Sequence, residues 1–170
     1  MSKDKEQLHY AIGDTQLGTV IVALSDHGVA AILIADDAAR ALRDLQAAFP
    51  EAEPIENMAK AGDALTSAIA LVDRPQGAFT HALDLRGSAQ ELAVWQALRD
   101  IPAGETRSYG QLAKTLPLPM TAREVGAACG ANRIAVAVPC HRVVKADGGI
   151  SGYRWGVPRK RRLINMEGVA

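Results

Sequence analysis

The stretch SYGQLAKTLPLPMTAREVGAACGA, residues 108–131, carries two helix-start signals. Ser108 is followed three residues later by Gln111, and Thr121 by Glu124. Each pair is a capping box, in which the hydroxyl and the longer side chain each satisfy a backbone N–H that the first helical turn leaves without a partner. The reading is a helix over Tyr109 to Thr115, a break at Leu116-Pro117-Leu118-Pro119, and a second helix from Ala122 to about Ala131. Two short helices across a Pro-containing turn predict a helix-turn-helix. The second helix is almost without large side chains, with Ala122, Gly126, Ala127, Ala128, Gly130 and Ala131 along it. An interior Gly costs roughly 1 kcal/mol relative to Ala, so this slimness points to close approach, either of another helix or of a ligand. If the ligand is DNA, a slim helix with Arg123 near its start suits a minor groove only about 6 Å wide.

Working toward the N-terminus, Ser88 with Glu91 forms a third capping box ahead of a Leu92, Trp95, Leu98 stripe, and Pro102-Ala103-Gly104 is a turn. A boundary near Arg86-Gly87 divides the chain into residues 1–86 and 87–170. The first part reads as strands followed by helices. Leu17 to Leu24 and Val29 to Ile34 are rich in Val and Ile, with a hairpin signal at Asp26-His27-Gly28. Asp36 or Asp37 caps a helix over Ala38 to Phe49, Asn57 caps another from Met58 to Val72, and Leu83-Asp84-Leu85 reads as a closing strand. The fold class is therefore α/β with a helical C-terminal part.

Beyond residue 131, Asn132 precedes Ile134, Val136 and Val138 at alternate positions, an apolar strand leading into Pro139-Cys140-His141-Arg142-Val143-Val144. A thiol at such a turn is activated if a helix N-terminus or a neighbouring base lowers its pKa from about 8.5; otherwise it is an inert core residue. Cys129, between Ala128 and Gly130, reads as a small buried hydrophobe.

The 170 residues suffice for one domain or two small ones, and 48% hydrophobic with 22% charged content excludes disordered and collagenous chains. No apolar run approaches the roughly 20 residues of a membrane span. The N-terminal stretch is charged in both signs, so no signal peptide is expected, and Cys129 and Cys140 are expected as free thiols in a reducing, cytoplasmic compartment. The net charge of zero hides an asymmetry: residues 1–85 hold six Lys/Arg against thirteen Asp/Glu, and residues 86–170 hold thirteen against six. The run Arg159-Lys160-Arg161-Arg162 closes the basic half. Such a split suits a polyanion-facing half, or two solvated faces that attract each other.

Pro139-Cys140-His141-Arg142-Val143 resembles the PCHRV signature of the O6-alkylguanine-DNA alkyltransferases. The neighbouring segments Ser108 to Ala113, Ala122 to Gly126, Asn132, Ser151-Gly152-Tyr153-Arg154-Trp155-Gly156 and Glu167 resemble that family in the same order. The Gly-Tyr-Arg-Trp-Gly run, Leu83 to Gly87 and Val94 to Leu98 look most like the bacterial Ada-type C-terminal domain. Departures are Glu124 where many members have Ala, Arg133 where many have Pro, and the lack of the Cys-rich zinc module of full Ada proteins.

The resemblance implies a ribonuclease-H-like subdomain over 1–86 and a winged-helix-like subdomain over 87–170. It implies transfer of an alkyl group from guanine O6 in flipped-out duplex DNA to the Cys140 sulfur, once per molecule. By the same resemblance, His141 held by Glu167 takes the thiol proton through a water, and Asn132 braces the turn. Tyr109, Tyr153, Val143, Arg154 and Trp155 contact the substrate base, with Trp155 and Ala135 restricting the pocket against bulky groups. Arg123 replaces the flipped nucleotide while Ala122, Gly126 and Ala127 lie along the minor groove. No cofactor, metal or membrane is expected, and the protein is expected to be a monomer. A thiol hydrolase built on Cys140, His141 and Glu167, and a non-catalytic lesion binder, are the alternatives; turnover separates the first, and the presence of Cys140 argues against the second.

Overall fold

The computed structural model describes residues 5–168. Strands β1 (Glu6–Thr15), β2 (Gly18–Ser25) and β3 (Gly28–Ala35) form an antiparallel meander, and β4 (Ala52–Glu56) adds to β1 in parallel, giving the order β3-β2-β1-β4. Val20 to Ala23 and Val29 to Ala35 are buried at every position, which requires cover on both faces of the sheet. Helix α1 (Ala38–Ala48) packs along β2 and β3, and α2 (Met58–Asp73) along β1 and β2. Asp37 and Asn57 are the N-caps, their side chains accepting from Arg40 N–H and Lys60 N–H.

Two strands are absent from the sequence reading. β1 carries Glu6, His9 and Asp14 among its apolar residues, and β4 contains Pro54, which a strand tolerates because β4 is the sheet edge. Conversely, Leu83-Asp84-Leu85 is not a strand: only Leu83 bridges Val29, through Val29 N–H to the Ala82 carbonyl and Asp84 N–H to the Val29 carbonyl, both 2.8 Å. Further along β3, Ile32 N–H donates to the Arg133 carbonyl at 3.0 Å and Ala135 N–H to the Ile32 carbonyl at 2.9 Å. The outer edge of β3 is thus capped by two segments from later in the chain.

After the sheet come α3 (Ala89–Arg99), a two-residue β5 (Arg107–Ser108), α4 (Tyr109–Thr115) and α5 (Ala122–Gly130). A 3-10 turn (Cys140–Arg142), β6 (Val143–Val144) paired parallel to β5, and α6 (Val157–Met166) complete the chain. All three capping boxes close reciprocally, each by two hydrogen bonds of 2.9–3.1 Å. Helix α5 packs on α3 and α4, and Trp95 Nε1–H donates to the Ala128 carbonyl at 2.9 Å.

The alternating segment 134–138 is not a strand. Val136 lies at φ +67°, and Val138 N–H returns to the Ile134 carbonyl at 3.1 Å, so the chain turns tightly within the apolar run. A β-branched residue in the left-handed region is strained by about 1–3 kcal/mol and needs firm packing to persist; Val136 is only 3% exposed. The basic run 159–162 is not a free patch either. Arg159 Nε donates to the Leu17 carbonyl at 2.6 Å and its Nη2 pairs with Asp36 at 2.8 Å, Arg162 donates to the Gln16 carbonyl at 2.9 Å, and Lys160 is wholly buried. Much of this charge joins the two halves of the molecule.

Candidate active site

The tight turn over 134–138 delivers Cys140 to the start of the 3-10 turn. Asn132 holds it there: its Nδ2–H₂ donates to the Val138 carbonyl at 2.9 Å, with the Ile134 carbonyl and the Cys140 Sγ each at 3.3 Å, while its Oδ1 accepts from Ile134 N–H at 2.9 Å. This one amide, 1% exposed, satisfies the turn and touches the sulfur.

The thiol lines a cavity of about 300 Å³. Tyr109 of α4, Gly126, Cys129 and Gly130 of α5, and Gly152, Tyr153 and Arg154 of the segment before α6 complete its wall. Burial raises the Cys140 pKa, opposed by the Asn132 N–H and by the charges of Lys160 and Arg154. The resting form is the thiol, and reaction requires a base. Burial raises the Cys129 pKa as well. That residue is buried as the sequence suggests, yet it shares the cavity with Cys140.

Next to the thiol in sequence, His141 is fully enclosed. Its Nε2 lies 2.7 Å from Glu167 Oε1, and its Nδ1 has no partner. Burial lowers the His141 pKa despite the carboxylate, so the ring is neutral at pH 7. Its proton sits on Nε2, donated to Glu167, which leaves Nδ1 as the basic nitrogen. Burial alone would raise Glu167, but hydrogen bonds from His141 and Arg142 hold it below the ordinary carboxylate range. Arg142 donates to both carboxylate oxygens and to the Ile101 and Pro75 carbonyls, fixing Glu167 between two loops. Sequence reading gave Arg142 no role; four acceptors around a buried guanidinium require the folded structure to see.

The residues singled out in the sequence thus divide into groups. Cys140, Tyr109, Tyr153, Arg154 and Gly126 converge on the cavity, Asn132 supports the sulfur, and His141 with Glu167 forms a buried pair. Ala122, Arg123 and Ala127 lie on the exposed face of α5. Three placements differ from expectation. Trp155 and Ala135 do not line the cavity: Trp155 is 6% exposed and packs edge-on against Tyr153 at 5.2 Å between ring centroids, and Ala135 is enclosed. Trp155 therefore buttresses the wall from behind rather than lining it. Val143, paired in β6, is likewise away from the lining. A Cβ at Gly126 would meet the Tyr109 ring at 3.7 Å, an ordinary packing distance, and at Gly130 nothing in the protein lies within 4 Å of that point, so contact within the protein requires neither glycine.

Among the described residues no group of three or more His, Cys, Asp or Glu is disposed to hold a metal, and no helix is long and apolar enough to cross a membrane.

Residues 89–169 match the family model of the 6-O-methylguanine DNA methyltransferase DNA-binding domain. Over 160 residues the chain is 44% identical to the bifunctional transcriptional activator/DNA repair enzyme Ada of Escherichia coli, covering 94% of this chain and 45% of that protein. It is 52% identical over 89 residues to a methylated-DNA–protein-cysteine methyltransferase of Mycobacterium tuberculosis, 54% of whose length is covered. The chain therefore spans about half the length of the curated relatives it matches. Its fold is similar to that of the Mycobacterium tuberculosis OGT crystallised in complex with DNA, at TM-score 0.75 and 33% identity over 94% of this chain and 92% of that one. It is also similar to the O6-methylguanine-DNA methyltransferase of Pyrococcus kodakaraensis, at TM-score 0.73 and 25% identity over 95% and 99% of the two chains.

Proposed function

This chain belongs to the 6-O-methylguanine DNA methyltransferase family, and on that premise we propose that it reverses alkylation of guanine O6 by taking the alkyl group onto Cys140. The observation that carries the reading is the Cys140 thiol in the wall of a cavity, beside a buried neutral imidazole whose Nδ1 is unpartnered. In the proposed reaction the thiol proton passes to His141 Nδ1, directly or across one water, and Glu167 stabilises the imidazolium. The sulfur lone pair forms a bond to the alkyl carbon as the carbon–O6 bond breaks. The departing guanine takes its electrons and regains a proton at N1. The product is a thioether, which has no S–S bond for thiol exchange to attack, so each molecule acts once.

A base stacked in a duplex cannot enter the cavity, and the substrate nucleotide must rotate out. We assign Arg123, exposed near the start of α5, to the space it vacates. The exposed Ala122, Ala127 and Gly130 would let that helix lie close in the minor groove; Gly126 packs on Tyr109 instead. Tyr109, Tyr153 and Arg154 would meet the base, with the backbone carbonyls of Cys140 and Val143 accepting from its 2-amino group. The meander with β4 added in parallel supports a ribonuclease-H-like reading of 1–86, and α4 with α5 a winged-helix-like reading of 87–170. We place the protein in the cytoplasm, acting as a monomer on double-stranded DNA.

Incubation with excess methylated duplex followed by mass spectrometry tests the reading. One methyl mass should appear on the peptide containing Cys140, and none in Cys140→Ala. Repeated turnover per molecule would overturn single-use transfer.

A further inference from the structure

The largest fully buried side chain among the described residues is a lysine. Lys160, in the middle of α6, has no exposed surface. Its ammonium meets two neutral oxygens, Ser151 Oγ at 3.0 Å and the Gly152 carbonyl at 3.4 Å, and none of the ion pairs among the described residues includes it. A buried charge without a counterion is expensive, and an apolar side chain of similar size is often as stable or more so at such a site. Packing therefore does not account for a lysine here.

Its surroundings do. Ser151, which accepts from Lys160, is also hydrogen-bonded to the Tyr109 hydroxyl. Gly152, whose carbonyl Lys160 touches, and Tyr109, whose ring centroid is 5.9 Å from Nζ, both line the Cys140 cavity. Burial lowers the Lys160 pKa, opposed by Cys140 on the 3-10 turn and Cys129 on α5; its charge also bears on His141, and the Tyr109 ring of α4 lies against it. The ammonium thus sits behind a wall whose other side holds two thiols, and alkyl transfer requires one of them to become an anion.

We propose that Lys160 is a positioning residue of the Cys140 cavity: through Ser151 it fixes the Tyr109 hydroxyl and the 151–153 wall, and its unpaired charge favours the Cys140 thiolate over the thiol. The part concerning Tyr109 rests on the alkyl-transfer reading, whereas the part concerning the thiolate does not.

The test is the rate of Cys140 modification by iodoacetamide as a function of pH, read by peptide mass spectrometry; trypsin cleavage at Arg133 separates Cys129 from Cys140. In Lys160→Met the profile should move up by about one pH unit, so that Cys140 reacts about tenfold more slowly near neutrality, while the melting temperature holds or rises. Should Lys160→Met not fold, Lys160→Gln keeps a hydrogen-bond donor, removes the charge, and should give the same displacement. Ser151→Ala retains the ammonium: its iodoacetamide profile should coincide with that of the unmodified protein, and its transfer from methylated duplex should slow several-fold. A charge-free variant with an undisplaced profile overturns the electrostatic role, and Ser151→Ala transferring at the unmodified rate overturns the positioning role. If the unmodified protein takes no methyl group, the alkyl-transfer reading fails, and the iodoacetamide profiles still decide whether Lys160 acts on the thiol.

Discussion

The two halves of this molecule are held together in different ways. Of the six buried polar or charged side chains among the described residues, only Thr19 belongs to the sheet half; Asn132, His141, Arg142, Lys160 and Glu167 all lie after residue 86. In the sheet half, consecutive Val, Ile, Leu and Ala residues fill the interior, and its charges pair at the surface, as Arg86 does with Glu6 and Asp84. In the other half the elements are short, and hydrogen-bonded polar groups occupy places where a sheet protein puts aliphatic ones. An apolar core tolerates conservative change in any member that keeps its volume. A polar core fixes each atom's position at the expense of tolerance, which suits the reaction proposed at the Cys140 sulfur.

The largest effect that would test this contrast comes from Glu167→Ala. Removing the carboxylate strands the Arg142 guanidinium and His141 in the interior, and should cost about 3–5 kcal/mol, at least matching the roughly 2–5 kcal/mol expected for Leu33→Ala in β3; urea denaturation of both variants makes the comparison. Acid should act on the polar half next. His141 and Glu167 both have folded pKa values below their ordinary 6.5 and 4.5, so the unfolded chain binds protons that the folded chain refuses. Stability is then complete above about pH 6.5 and declines as pH falls, first through His141 and then through Glu167. Melting temperature should drop between pH 7 and pH 5, and His141→Gln should flatten that slope. Helix caps, by contrast, should not distinguish the halves: Asp37→Ala on α1 and Thr121→Ala on α5 should each cost about 1 kcal/mol by denaturant titration. Smallest in stability is Arg123→Ala, expected within about 0.5 kcal/mol of the unmodified protein. If Arg123 holds the flipped state, that variant should slow transfer from duplex far more than transfer from the free base, and equal slowing would remove the role.

Features encoded by neighbouring residues were legible in the sequence. The capping boxes at Ser88, Ser108 and Thr121 need only a spacing of three, and the structure closes each one. The hairpin at Asp26-His27-Gly28 and the caps Asp37 and Asn57 are local in the same sense. β1 and β4 were not legible, because Pro54 and a mixed polar pattern become a strand only once β1 offers a parallel partner 46 residues away, as in the Leu8 to Pro54 register. The run 134–138 misled because alternation of Ile134, Val136 and Val138 is the pattern of a strand, while Asn132, acting across six residues on the Val138 carbonyl, bends it into a turn. At the candidate site, the family resemblance singles out Cys140, His141 and Glu167, but Lys160 reads as one member of a basic run. Only the packing of α6 shows that Arg159 and Arg162 reach the sheet half while Lys160 points inward.

The capped outer edge of β3 bears on how the chain is made. Synthesis delivers residues 28–35 long before residues 82–84 and 133–135, whose backbone groups complete that edge. Until Ala135 has left the ribosome, an apolar strand stands with part of its hydrogen-bonding edge unsatisfied, the arrangement that most readily pairs with another nascent chain. A chain stopped near Arg86 would retain that exposure permanently. The loop that carries the Cys140 sulfur therefore also closes the sheet, and until that loop is translated the edge of β3 lacks part of its cover.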